Sequence, residues 1–150
     1  MDRFSRFTIK RHLFAALLAV AAIGARADSG DVVFGETFDT EEDFARWTLV
    51  DNNGGRTWQY LNGAAAYMLD YQAGLPGDDW CISPEFHLSA GRVYELKFYL
   101  GINSMPENLK VFLGTSTDPA SFTTVLADYN NVTKSDSGTK TLKVFVKADG

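Results

Sequence analysis

The chain is poor in the residues on which much enzyme chemistry rests. It holds one cysteine, Cys81, and two histidines, His12 and His87. A lone thiol cannot make an internal disulfide, although exported domains of this size often use them. A zinc centre or a nucleophilic triad needs companions that the sequence does not supply. Cys81 lies between Trp80 and Ile82, just after Asp78 and Asp79. Acidic neighbours raise a thiol pKa, so Cys81 is expected to act as a small buried hydrophobe rather than a nucleophile. His87 alternates with Phe86 and Leu88, which puts it on the solvent face of an edge strand. Asp and Glu are common enough that a glycosidase-type carboxylate pair could be drawn almost anywhere, and so none is assigned. No catalytic residue is expected, and the chain reads as a non-enzyme.

Long apolar runs are also missing. The longest, Leu13 to Gly24, holds 12 residues, short of the roughly 20 needed to span a bilayer. Arg3, Arg6, Lys10 and Arg11 precede it, and Ala25-Arg26-Ala27 follows. A basic start, an apolar middle and small residues before the junction form a signal peptide over 1–27, cleaved before Asp28. No cysteine sits at the junction to carry a lipid. The domain then runs over 28–150, which is 123 residues and enough for a single core.

Basic charge is scarce in that domain. The leader takes five of the 14 basic residues and one of the 19 acidic ones, leaving nine against 18 and a net charge of −9. Such a field repels polyanions, so nucleic acid is excluded as a partner. Export, together with the absence of any span in the mature part, points to a secreted or cell-surface protein.

What the sequence has in quantity is short alternating segments. Strands are expected at Asp31–Glu36, Trp47–Val50, Thr57–Leu61, Ala65–Leu69, Asp79–Ile82, Phe86–Leu88, Val93–Leu100, Leu109–Thr115, Thr123–Ala127 and Thr141–Lys147. In the last, Leu142, Val144 and Val146 share one face while Lys143, Phe145 and Lys147 share the other. Turn residues such as Asn52-Asn53-Gly54-Gly55, Asn62-Gly63 and Ala90-Gly91 separate the segments. Helix is expected only as a turn capped by Thr40 and another near Pro119. The pattern is all-β, a sandwich or jelly roll. Beyond Lys147 only the turn-like Ala148-Asp149-Gly150 remains. An unpaired edge there is disfavoured, so the closing strands are expected to lie in a longer chain or come from a partner.

The order of motifs resembles the choice-of-anchor J family, related to the cleaved adhesin domain of gingipain-type haemagglutinins and distantly to the MAM domain. The matching pieces are Glu36-Thr37-Phe38-Asp39, Trp47-Thr48-Leu49-Val50-Asp51, Asn53-Gly54-Gly55-Arg56-Thr57-Trp58 and Asp78-Asp79-Trp80-Cys81-Ile82-Ser83-Pro84. They continue with Leu88 to Phe98 and Glu107 to Gly114. The resemblance implies a bacterial jelly-roll adhesion module that binds host protein or glycan, with structural calcium. It departs from the family at Cys81, where a bulkier aliphatic is usual, and in lacking the closing strands. Calcium wants six to eight oxygens. Acidic and amide side chains beside turns at motif positions are Glu36, Asp39, Asp51, Asn53 and Asp79, with Asp78 adjacent. The competing reading makes them solvated turn residues. Among aromatics, Trp47 and Trp80 are expected in the core, Trp58 and Tyr60 inward, and Tyr71 at the surface. The alternative to an adhesin is an accessory domain of a larger secreted peptidase or glycoside hydrolase.

Overall fold

The computed structural model describes residues 3–11, 18–27, 30–68, 78–103 and 105–147. Leu69 and Tyr71, expected in a strand end and a surface loop, lie outside these residues. The strands are β1 (Arg3–Arg11), β2 (Leu18–Ala27), β3 (Val32–Glu36), β4 (Thr48–Asp51), β5 (Trp58–Tyr60), β6 (Ala65–Tyr67) and β7 (Asp79–Ile82). After them come β8 (Phe86–Leu88), β9 (Val93–Ile102), β10 (Glu107–Gly114), β11 (Thr124–Val132) and β12 (Gly138–Phe145). One short helix, α1 (Glu41–Ala45), follows β3.

Pairing is antiparallel throughout and gives two six-stranded sheets. The first runs β11-β10-β1-β7-β4, with β8 also on β1. The second runs β12-β9-β2-β6-β5, with β3 also on β2. The fold is therefore all-β. One core lies between the sheets and draws on both: Cys81, Leu109 and Val111 from the first, and Trp58, Tyr67, Leu96, Phe98 and Leu100 from the second. Alternation explains the assignment on β9, where Tyr94, Leu96, Phe98, Leu100 and Ile102 are buried while Val93, Lys97 and Tyr99 face out.

β7 departs from that alternation, because all four of its residues are buried. Cys81 faces the main core, whereas Trp80 and Ile82 join Phe112 and Phe122 in a second, smaller one. Phe122 comes from a 3-10 turn at Pro119–Ser121, capped by Asp118. Its ring stands 5.5 Å from that of Trp80. Gly114 leaves room for it, since a Cβ there would clash with the Phe122 ring. The Pro119 turn thus puts a lid on the outer face of the first sheet. Trp80 is in a core as expected, but in this one.

The local signals at α1 hold in detail. Thr40 Oγ1 accepts from the Asp43 N–H at 3.2 Å, and Asp43 returns a carboxylate to the Thr40 N–H at 3.1 Å. This reciprocal box fixes a five-residue helix that delivers Phe44 to the core beside Phe38. Among the described residues no helix is long and apolar enough to cross a membrane.

Candidate functional site

The antiparallel register of β4 and β7 sets Asp51 opposite Asp79. Asp51 ends its strand, and its carboxylate then organises the turn that follows. Oδ1 accepts from the N–H groups of Asn53 at 3.0 Å and Gly54 at 2.7 Å, and Oδ2 from Gly55 at 3.2 Å. Gly54 takes a φ of +67° that a side chain would resist. The N–H bonds from Gly55 and Gly54 hold the Asp51 pKa below its ordinary 3.8.

Asp79 is different in kind. It is fully buried, with Oδ1 accepting from the Asn52 N–H at a long 3.4 Å and Oδ2 buried without a hydrogen-bond partner. Burial raises its pKa. Tyr67 and the Asn52 N–H pull it down, while the charges of Asp51 and Asp78 push it further up. Such an oxygen calls for a proton or a cation. The sign of the pH effect follows: an acid whose folded pKa is raised stabilises the fold fully below its unfolded value near 3.8. That contribution is lost as pH rises through the folded pKa. Asp79→Asn is therefore expected to be more stable than the native protein at neutral pH, with the gap closing as the pH falls toward 3.8. Urea titrations between pH 4 and 8 read this, and a gap that widens toward acid would refute it.

The five expected metal ligands divide between two places. Glu36 and Asp39 flank the entry to α1. Glu36 Oε1 accepts from the N–H groups of Thr37 at 2.9 Å and Phe38 at 3.1 Å, and its Oε2 pairs with Arg46 at 2.7 Å. Those contacts occupy most of the acceptor capacity of the carboxylate. Asp39 Oδ2 accepts from the Thr37 hydroxyl at 2.7 Å in an exposed position. Asp51, Asn53 and Asp79 gather at the end of β4 and β7, where the buried Asp79 Oδ2 does fit a hard cation. Among the described residues no three carboxylate, His or Cys side chains converge as a metal-holding group.

The remaining expectations concern single residues. Cys81 is fully buried, and burial pushes its thiol pKa up, away from nucleophilic character. His87 is exposed on β8. Trp47 and Trp58 are in the core, and Tyr60 is half-buried with its hydroxyl donating to the Asp39 carbonyl at 3.2 Å. Sequence reasoning passed over the outward face of β9 and β12. Register there sets Phe145 opposite Val93, Lys143 opposite Glu95, Thr141 opposite Lys97 and Thr139 opposite Tyr99. Phe145 is 57% exposed, Tyr99 47% and Val93 41%. The alternation that put Phe145 with Lys143 and Lys147 contained the signal, but only the pairing with β9 assembles the face.

No family model matches the chain, and no curated protein does. Among solved structures, the chain is similar to a domain of unknown function, DUF4425, from Bacteroides vulgatus ATCC 8482. The two share 10% identity with a TM-score of 0.34, over 99% of this chain and 98% of that one.

Proposed function

We propose that this chain is a secreted or cell-surface, non-catalytic binding module of the adhesin type from a bacterial protein, built on a choice-of-anchor J-like jelly roll. The observation that carries the reading is the outward face of β9 and β12. Tyr99 stands at one end, Phe145 and Val93 at the other, and Lys97, Glu95 and Lys143 lie between. Exposed aromatic faces flanking hydrogen-bonding side chains suit a sugar ring better than they suit a folding core. Calcium bound by Asp79 with Asp51 and Asn53 would supply the missing positive charge and stiffen the 52–55 turn. The order of motifs along the sequence supports the family assignment.

Glycan arrays probed with purified secreted protein test this. A glycan ligand is expected, with Tyr99→Ala and Phe145→Ala each weakening it about tenfold, or roughly 1.4 kcal/mol. Calcium at about a hundred times its Kd should add roughly 2.7 kcal/mol to stability, reversed by chelator. A blank array, or binding indifferent to both substitutions, refutes the glycan face. A melting curve unmoved by calcium removes the metal. Binding to an immobilised host protein instead would keep the adhesin and discard the sugar. A peptidase or glycoside-hydrolase domain in the same polypeptide would favour the accessory-domain alternative.

A further inference from the structure

Two observations pull against each other. Residues 1–27 read as a removable leader, yet in the full chain residues 3–11 and 18–27 fill interior positions of both sheets. β1 separates β10 from β7, and β2 separates β9 from β6. β8 pairs with β1, and β3 with β2; neither has another strand partner among the described residues. Cutting the leader away would bare an edge of six strands at once, β10, β7, β8, β9, β6 and β3, beside core residues such as Leu96, Phe98, Leu109 and Val111. Buried backbone groups left unpaired destabilise a fold. A processed domain with both positions open is not a stable structure.

We propose that in the exported protein both positions are taken by the next two strands of the same polypeptide, those that follow β12. The inference rests on the leader being removed, and its support is topological. β12 finishes beside the start of β9. There Phe145 faces Val93, the Val146 N–H donates to the Arg92 carbonyl at 3.0 Å, and the Gly91 N–H donates to the Val146 carbonyl at 2.7 Å. Leu88, just upstream of that turn, is the residue paired with Arg3 where β1 begins. Gly114 is paired with Arg6 on the other flank. A chain leaving β12 is thus delivered to the end of the molecule at which the β1 position opens.

Direction agrees as well. β12 and β2 both run antiparallel to β9, so they point the same way. One strand passing back through the β1 position returns the chain in the sense that the β2 position needs. Strands added outside β11 or β12 would widen the sheets and leave the interior open. A second copy is a poor donor, because its described strands are already committed to their own sheets. The occupants should match the lengths of β1 and β2, nine and ten residues, and carry apolar residues at every second position toward the core.

Intact mass and terminal sequencing of the native secreted protein test the source. The expected product begins at Asp28 and extends beyond residue 150 by at least about 20 residues, enough for two strands. A product that begins at Asp28 but holds no such extension overturns the proposal. Retention of residues 1–27 overturns the leader reading on which it rests, and the two failures are told apart by which terminus is wrong.

A rearranged chain tests the topology. Residues 28–150 are followed by a short Gly-Ser linker and then residues 3–27, with a scrambled 3–27 segment as control. The rearranged chain is expected to melt cooperatively within a few degrees of the full chain. The scrambled version and 28–150 alone are expected to lose cooperative melting. A rearranged chain that fails to fold, or 28–150 alone melting like the full chain, overturns the proposal.

Discussion

Trp58→Ala is expected to lower the unfolding free energy by about 3–5 kcal/mol, the range for deleting a large aromatic from a packed core. Trp58 is 1% exposed, and its ring meets Tyr67 edge-on at 5.8 Å. It also joins the two layers. β5 belongs to the second sheet, yet the Trp58 indole N–H donates at 3.4 Å to the carbonyl of Asp79 on β7 of the first. Removing the side chain opens a cavity and takes that donor from the Asp79 carbonyl, beside the Asp51–Asp79 pair. Against a typical total of 5–15 kcal/mol, such a loss is a large share of the stability. Trp58→Phe keeps most of the volume and should cost about 1–3 kcal/mol. Urea unfolding of the three proteins at one pH measures both values. A Trp58→Ala loss below about 1 kcal/mol would mean that this residue does not tie the sheets together.

Strand positions were largely legible because alternation is a local property. β7 and β8 fall on their expected bounds, and β9 simply continues two residues further, with Ile102 keeping the period. The strand expected over Thr123–Ala127 runs on to Val132, through Asp128-Tyr129-Asn130-Asn131, which has the composition of a turn. The fold overrides that composition. Lys110 pairs with Asp128 at 3.1 Å, and the Asn108 side chain accepts from the Asn131 N–H at 2.6 Å, where Asn131 takes a φ of +56°. Neither contact can be inferred from the segment itself.

Long-range arrangement was less legible for the same reason. That Phe122 covers Trp80 depends on β10 and the Pro119 turn crossing the outer face of the first sheet, and no short-range pattern encodes this. At the site, each acid beside a turn could be picked out singly. Register alone pairs Asp51 with Asp79, and three-dimensional context alone distinguishes a carboxylate with an orphaned oxygen from one already in use. Glu36 is the instructive case: its position in the motif suggested a ligand, and its contacts to the Thr37 and Phe38 N–H groups and to Arg46 could not be read from the motif.

Glu36→Ala is accordingly expected to cost about 1–3 kcal/mol, since it takes the acceptor from the buried Phe38 N–H and from the part-buried Thr37 N–H. That loop stores strain. Phe38 adopts a φ of +54° while fully buried against Phe44 and Trp47, a conformation that a bulky residue holds only when its surroundings impose it. The Glu36 carboxylate is part of that imposition. Glu36→Gln separates its two contributions. The amide oxygen can still accept both N–H groups, while the ion pair to Arg46 is lost. Because the Arg46 side chain is 57% exposed, that pair is worth at most about 1 kcal/mol. Glutamine should therefore be nearly tolerated and alanine should not, with the same response to calcium in both as in the native protein. Equal losses for the two substitutions would assign the energy to the charge rather than to the loop. A calcium response abolished by glutamine alone would make Glu36 a ligand after all.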